Sequence, residues 1–269
     1  MTAGNLTERL LRRDRLVLLA LIGLLFTLAA LYSVFGVGMR MTAIEMTGMS
    51  GMRDMPGPRI PGDWPAAYAA LVFLMWWVMM TAMMLPSMSP TVLLYAALLR
   101  HGRRAERVFA VSTAFVSGYL LVWAGFSVVA TAAQWLLEDQ GVVSATMMTL
   151  VDTVPGALVL IAAGVFQFTL LKRACLDHCR SPAKFLAERR RPGTAGALVM
   201  GLEHGLFCLG CCWFLMALLF VGGIMNLYWI VGLAALVAFE KLTPFGETAA
   251  RLAGVVLVAW GAWVLFGAL

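Results

Sequence analysis

The sequence predicts an all-α fold: a polytopic bundle of about seven transmembrane helices forming one domain over residues 1–269. Three observations carry that reading. Hydrophobic residues make up 62% of the chain and charged residues only 13%, whereas soluble domains are roughly 45–50% apolar and about 25% charged. Seven stretches approach the ~20 apolar residues that a helix needs to cross a bilayer core. The basic residues alternate between connections as the positive-inside rule requires. A disordered chain and an ordinary cytosolic enzyme are thereby excluded. Five clustered cysteines are too few for a disulfide scaffold. The net charge of +6 sits in short loops, so it reflects orientation in the membrane and not nucleic-acid binding.

The first span, about 16–38, follows Arg9, Arg12, Arg13 and Arg15. It is too long for a signal-peptide core and lacks a small-x-small cleavage site, so it is expected to remain in the membrane. An outer loop at 39–64 is rich in Gly, Pro and Met. The second span, 65–86, is expected to continue past Pro86 toward Arg100 as a kinked helix. The third and fourth cover 108–135 and 154–172, and a cytoplasmic Cys/His loop follows at 173–194. The fifth covers 195–221. The sixth, 227–241, is short and ends at Glu240-Lys241, so it is read as tilted or partly re-entrant. The seventh covers 249–268. With the N-terminus in the cytoplasm, 17 of the 20 Lys and Arg fall on the inner side. Only Arg40, Arg53 and Arg59 fall outside, which sends the C-terminus out.

Methionine is the first chemical anomaly. In the outer loop Met46, Met49, Met52 and Met55 recur every three residues among Thr, Gly, Ser and Asp, with no apolar partners to explain them by packing. Thioethers are uncharged soft ligands suited to Cu(I) or Ag(I), so this run is read as a metal-capture segment. The bland alternative is an interfacial segment dipping into headgroups. In the second span Met75, Met79 and Met83 follow a four-residue step, as do Met80, Met84 and Met88. At about 100° per residue these form two stripes on roughly opposite faces. Plain packing competes with ligation here. The Met-x-x-x-Met step also resembles the pore motif of eukaryotic-type copper transporters.

The fifth span carries Glu203, His204, Cys208, Cys211 and Cys212 within ten residues. His204 and the three cysteines share an arc of roughly 100°, whereas Glu203 points away toward another helix or a cavity. A rise of about 1.5 Å per residue separates His204 from Cys211 by about 10 Å, so one ion cannot touch both from a single helix. Cys208 with Cys211 or Cys212 is the candidate pair, and a second ion, a protonated His204 or a donor from a third helix is expected to help offset its charge, His204 being the nearest. Intramembrane ionisable groups are costly and mark function by default. Gly201 and Gly205 form a small-x-x-x-small step for close helix approach. The inner loop adds Cys175, His178 and Cys179, a second candidate chelate with basic neighbours. His101, between Arg100 and Arg103, reads as a solvated inner-loop residue, and Glu138 as an outer-loop charge.

Several of these blocks together resemble a bacterial family of predicted metal-binding integral membrane proteins of unknown function. They are Trp77-Val-Met79-Met80 through Met83-Met84-Leu-Pro86-Ser87; Gln167, Lys172, Cys175 and Cys179-Arg180-x-Pro182; His204-Gly-x2-Cys208-x-Gly210-Cys211-Cys212-Trp213; Met225-Asn226-Leu227; and Glu240-Lys241. The likeness runs from about Trp76 to Lys241 and implies a polytopic helical protein that binds metal, without a settled reaction. The expected location is the bacterial inner membrane, as a multi-pass protein.

The leading functional reading is binding and transport or delivery of a soft metal, Cu(I) first. Thioethers stand outside, Met, Cys and His within, and thiols with imidazole inside. The partners expected are membrane lipid, the copper ion, a periplasmic or cytoplasmic copper chaperone and a second copy of the chain. The alternative is a membrane oxidoreductase using Cys208, Cys211 and Cys212 as a thiol relay or copper redox site. No Gly-x4-Gly-Lys-Ser/Thr run is present, which argues against ATP-driven pumping by this chain.

Overall fold

The computed structural model describes residues 3–36, 39, 41–49, 51–53, 62–100 and 108–268. Among these, every regular element is a helix, apart from an isolated bridge between Val143 and Leu150. In chain order they are α1 (Ala3–Phe35), α2 (Ala43–Gly48), α3 (Ala66–Arg100), α4 (Val108–Asp139), α5 (Thr153–Phe166), α6 (Leu170–Arg180), α7 (Pro182–Glu188), α8 (Gly193–Ala217), α9 (Leu219–Gly222), α10 (Leu227–Leu242) and α11 (Gly246–Ala268).

Five helical stretches are long and apolar enough to cross a membrane: Leu16–Phe35, α3, α4, the run Gly193–Gly222 and α11. α5 and α6 meet the same test together but bend by 63° between them, which makes six if the bent pair counts as one span. α10 has 16 residues, about 24 Å of helix, against a hydrocarbon core of about 30 Å.

The expected straight fourth span is therefore broken, and Thr169 explains where. It sits in an extended conformation (φ −71°, ψ 148°). Its hydroxyl donates to Phe166 O at 2.8 Å and accepts from Lys172 N at 3.2 Å, closing α5 and opening α6. A Thr side chain competing for local backbone groups favours such a cap over helix interior. Much of the expected inner loop is consequently helix, in α6 and α7. α3, by contrast, runs unbroken through Pro86 and Pro90. Ser89 Oγ donates to Pro86 O at 2.8 Å, a carbonyl that Pro90 has no N–H to satisfy.

The segment expected as an outer loop also contains structure. Thr42 and Glu45 form a capping box that starts α2: Glu45 N donates to Thr42 Oγ1, and Thr42 N donates to Glu45 Oε2 at 2.7 Å. Leu227 N, at the start of α10, donates to Thr47 Oγ1 at 2.9 Å and ties α2 to the bundle. The far end of α10 meets α6 and the start of α11. Lys172 pairs with Glu240, Arg180 donates to Thr243 O and Pro244 O, and Arg173 pairs with Glu247. The short α10 thus joins the α2 end of the molecule to the α6 end.

Close packing positions α8. A Cβ on Gly201 would strike Phe115 O, and one on Gly118 would strike Leu198 O, so α4 and α8 touch backbone to backbone. α3 lies deep, with Met75, Met79, Met80, Met83, Met84 and Met88 all buried.

Candidate metal centre

On α8, Cys208, Cys211 and Cys212 are each 1% exposed or less, so the cysteine face is turned into the bundle and away from lipid. A residue one turn back accounts for their local geometry: Cys211 Sγ and Cys212 Sγ both donate to Cys208 O, at 3.0 and 2.9 Å. Cys208 Sγ looks elsewhere. Lys241 Nζ of α10 donates to it at 2.8 Å, and Tyr119 OH of α4 lies 2.9 Å away. Cys212 Sγ reaches Met84 Sδ of α3 at 4.0 Å.

α6 brings in the remaining two thiols. Lys172, Cys175, Leu176 and Cys179 share its buried face. Cys179 lies within interaction range of Cys211. Cys175 Sγ lies 2.7 Å from where a Cβ on Gly210 would stand, so that glycine is what lets α6 approach. The two cysteine groups that the sequence keeps apart therefore occupy one place. All five thiols are free and buried.

Other candidates go elsewhere. His178 leaves the thiols, stacking on Phe207 with ring centroids 4.1 Å apart and bonding Ala174 O through Nδ1. Glu203 pairs with Arg191 at 2.7 Å and Arg189 at 3.9 Å on the rim of α8. His204 packs among Phe115, Tyr119 and Phe185, with Nδ1 buried and unpartnered. Gln167 turns to α11, its Cβ 2.8 Å from where a Cβ on Gly254 would stand. Of the α3 methionines, all four candidates (Met79, Met80, Met83, Met84) are buried. Met84 is the one whose sulfur has a described thiol contact.

In the outer loop, α2 breaks the three-residue repeat. Met46 is buried, Met49 is half-buried and Met52 is exposed. Met46 and Met52 line a cavity of about 290 Å³ together with Met147, which follows α4. Met55 and His101 lie outside the described residues.

Sequence reading missed Lys241 and Tyr119 at the centre, and Met147 at the outer cavity. A lysine closing a short span was the available signal for the first. Tyr119, 89 residues from Cys208, offered none. Glu138 is likewise no surface charge: it is fully buried, accepting from Trp64 Nε1 and Gln134 Nε2.

Among the described residues no three His, Cys, Asp or Glu side chains stand close enough to chelate one ion. The donor set instead suits a soft ion that accepts two ligands. Cys212 and Met84, whose sulfurs stand 4.0 Å apart, and the neighbouring thiols are the residues that would hold such an ion.

Fold and site together define a helical protein of membrane-spanning build with a core of soft sulfur donors. The family comparison is specific about the metal. The chain belongs to the PpoB2 family of copper chaperones, whose model matches residues 73–264, a range that contains the Trp76–Lys241 resemblance. No curated protein and no solved structure matches the chain. It is a copper-related protein whose helices are apolar enough to cross a membrane.

Proposed function

We propose that this chain is an inner-membrane carrier of Cu(I), accepting the ion at outer thioethers and delivering it through buried sulfur ligands to the cytoplasmic side. The observation that carries this reading is the sulfur cluster. Met84 of α3 touches Cys212, and Cys212 shares the core with Cys208, Cys211 and Cys179 of α8 and α6. Thioethers and thiolates both select soft Cu(I), and thiolates hold it more tightly, so an ion moving from Met to Cys descends in free energy. Met46, Met52 and Met147 form the outer capture site, at a cavity that α2 lines through Met46. The His and carboxylate candidates stay outside the ligand set: His178 and Glu203 have other partners, and His204 supports the site from one turn away.

The seven-crossing topology, with the N-terminus inside, belongs to this proposal. It is supported by α10, which despite its length contacts α2 at one end and α6 at the other.

Elemental analysis of protein purified under reducing conditions tests the proposal. Wild type is expected to hold roughly stoichiometric copper, and Cys208→Ser and Cys211→Ser to lose most of it. Full copper occupancy in both variants removes the site assignment. A reducible disulfide with no bound metal in wild type turns the reading to a thiol relay.

A further inference from the structure

Two lysines and one glutamate are buried beside the thiols. Lys172 Nζ and Glu240 Oε2 stand 2.7 Å apart, with side chains 2% and 1% exposed. That pair is electrically complete. Lys241, 6% exposed, has no carboxylate partner of its own among the described residues, and its ammonium points at Cys208 Sγ at 2.8 Å. Glu240 is the carboxylate within its field, and it is already matched to Lys172. The thiols of Cys211, Cys212 and Cys179 also lie within electrostatic reach of Lys241. The buried cluster therefore carries one positive charge more than its carboxylate can answer. Uncompensated charge in a low-dielectric interior costs several kcal/mol.

We infer that Lys241 is the fixed counter-charge that renders a two-thiolate Cu(I) complex neutral inside the bundle. The inference rests on the thiol cluster being the Cu(I) site and adds to it the residue that lets that site exist in an apolar core. Cysteines bind metal as thiolates. One Cu(I) with two thiolates has a net charge of −1, and the ammonium 2.8 Å from Cys208 Sγ cancels it. His204 lies farther back, its ring packed among Phe115, Tyr119 and Phe185, so the neutralising role expected of it falls to Lys241. The same charge favours monovalent cargo. Two thiolates around a divalent ion are already neutral, and Lys241 then leaves an excess positive charge.

The rival account is structural: Lys241 lies in the last turn of α10, where a cation interacts favourably with the helix C-terminus. A double-mutant cycle separates the two. Silver(I) serves as a redox-inert probe, its affinity measured by competition titration on wild type, Lys241→Met, Lys241→Arg, Cys208→Met, and Lys241→Met with Cys208→Met. Lys241→Met should weaken silver binding by about tenfold or more, as for coupled touching side chains, while Lys241→Arg keeps most of the affinity. Adding Cys208→Met to Lys241→Met should recover affinity, because one thiolate and one thioether around the ion need no counter-charge. The metal-free melting temperature of Lys241→Met should be unchanged or higher, since an ammonium has left an apolar core.

Unchanged silver affinity in Lys241→Met overturns the inference while leaving the metal site intact. So does a double variant weaker by the product of the single effects, or an equal fall in melting temperature with and without silver. Absence of silver uptake by wild type overturns the site and the inference together. If Lys241→Met does not accumulate as folded protein, Lys241→Gln in the same pairings carries the test.

Discussion

Met84 stands where two kinds of sulfur meet, and its substitution tests the proposed passage of the ion separately from its retention. Its thioether touches Cys212 Sγ at 4.0 Å, and its carbonyl accepts from Ser87 Oγ at 2.9 Å. Met84→Leu keeps apolar bulk, and such swaps usually cost under about 1.5 kcal/mol. The variant should melt near wild type and hold copper at the thiols with unchanged occupancy. Loading of proteoliposomes from the outer side should slow several-fold. Unchanged loading would reduce Met84 to packing, which is all that its burial among other α3 methionines otherwise demands. The three cysteines that periodicity puts on one face of α8 are all buried together, because a helix face is a local property, whereas Glu203 pairs with Arg191 at the rim. Lys241 did not stand out in the same way. A lysine at a helix end serves topology in most membrane proteins, and only the fold reveals a thiol 33 residues away in sequence against its ammonium. Glu138 was misplaced for a similar reason, since its indole partner Trp64 is 74 residues distant.

Helical elements follow the same division between local and distant information. The apolar lengths of α3, α4, α8 and α11 were legible from hydropathy alone. The break between α5 and α6 was not, because Thr169 sits in a sequence apolar enough to read straight through it. α2 was hidden too, although Thr42-x-x-Glu45 is a capping box in the sequence. That box makes α2 sensitive to pH. The backbone N–H of Thr42, and then its hydroxyl, hold the Glu45 carboxyl below its ordinary value of 4.5. A folded-state value lowered in this way gives stability that is present above the ordinary value and is lost as pH falls through the lowered one. Amides of Met46–Met49 should accordingly be protected from exchange at pH 6 and lose protection progressively as pH falls below 4.5 and through the lowered value, after correction for intrinsic exchange chemistry. Glu45→Gln, which still caps through its amide, should retain partial protection with a flat pH profile. Wild-type protection that is equally flat would show that the box does not hold α2 over the Met46 cavity.

At the scale of the whole molecule, charge and contact point the same way. Under seven crossings, 17 of the 20 basic residues fall in segments on the same side as the N-terminus, the bias that the positive-inside rule expects of a cytoplasmic side. Contacts along the chain alternate to match. Trp64 before α3 meets Glu138 at the close of α4, and Thr149 before α5 meets Phe220 in α9. The start of α10 lies against Thr47, while its end lies against Lys172 and Arg180 beside the start of α11. If α10 crosses, the count is seven and the chain ends on opposite sides. If α10 only dips in and returns, the count is six and both ends share a side. Its 16 residues make about 24 Å of helix, so a full crossing requires local thinning of the bilayer or snorkelling flanks, at fractions of a kcal/mol per ångström. Two features lessen that demand. Lys241 and Glu240 at its C-terminal end are buried against thiols and Lys172, and not held in lipid. Its N-terminal end is tied to α2 through Thr47. Protease-accessible tags on the two termini of the full chain, assayed in sealed inverted vesicles and in spheroplasts, should therefore be cut from opposite sides, the N-terminal tag from the cytoplasmic one. Both tags cut from the cytoplasmic side would mean that α10 is re-entrant. The route from Met46 to Cys208 would then have to end within the membrane and not beyond it.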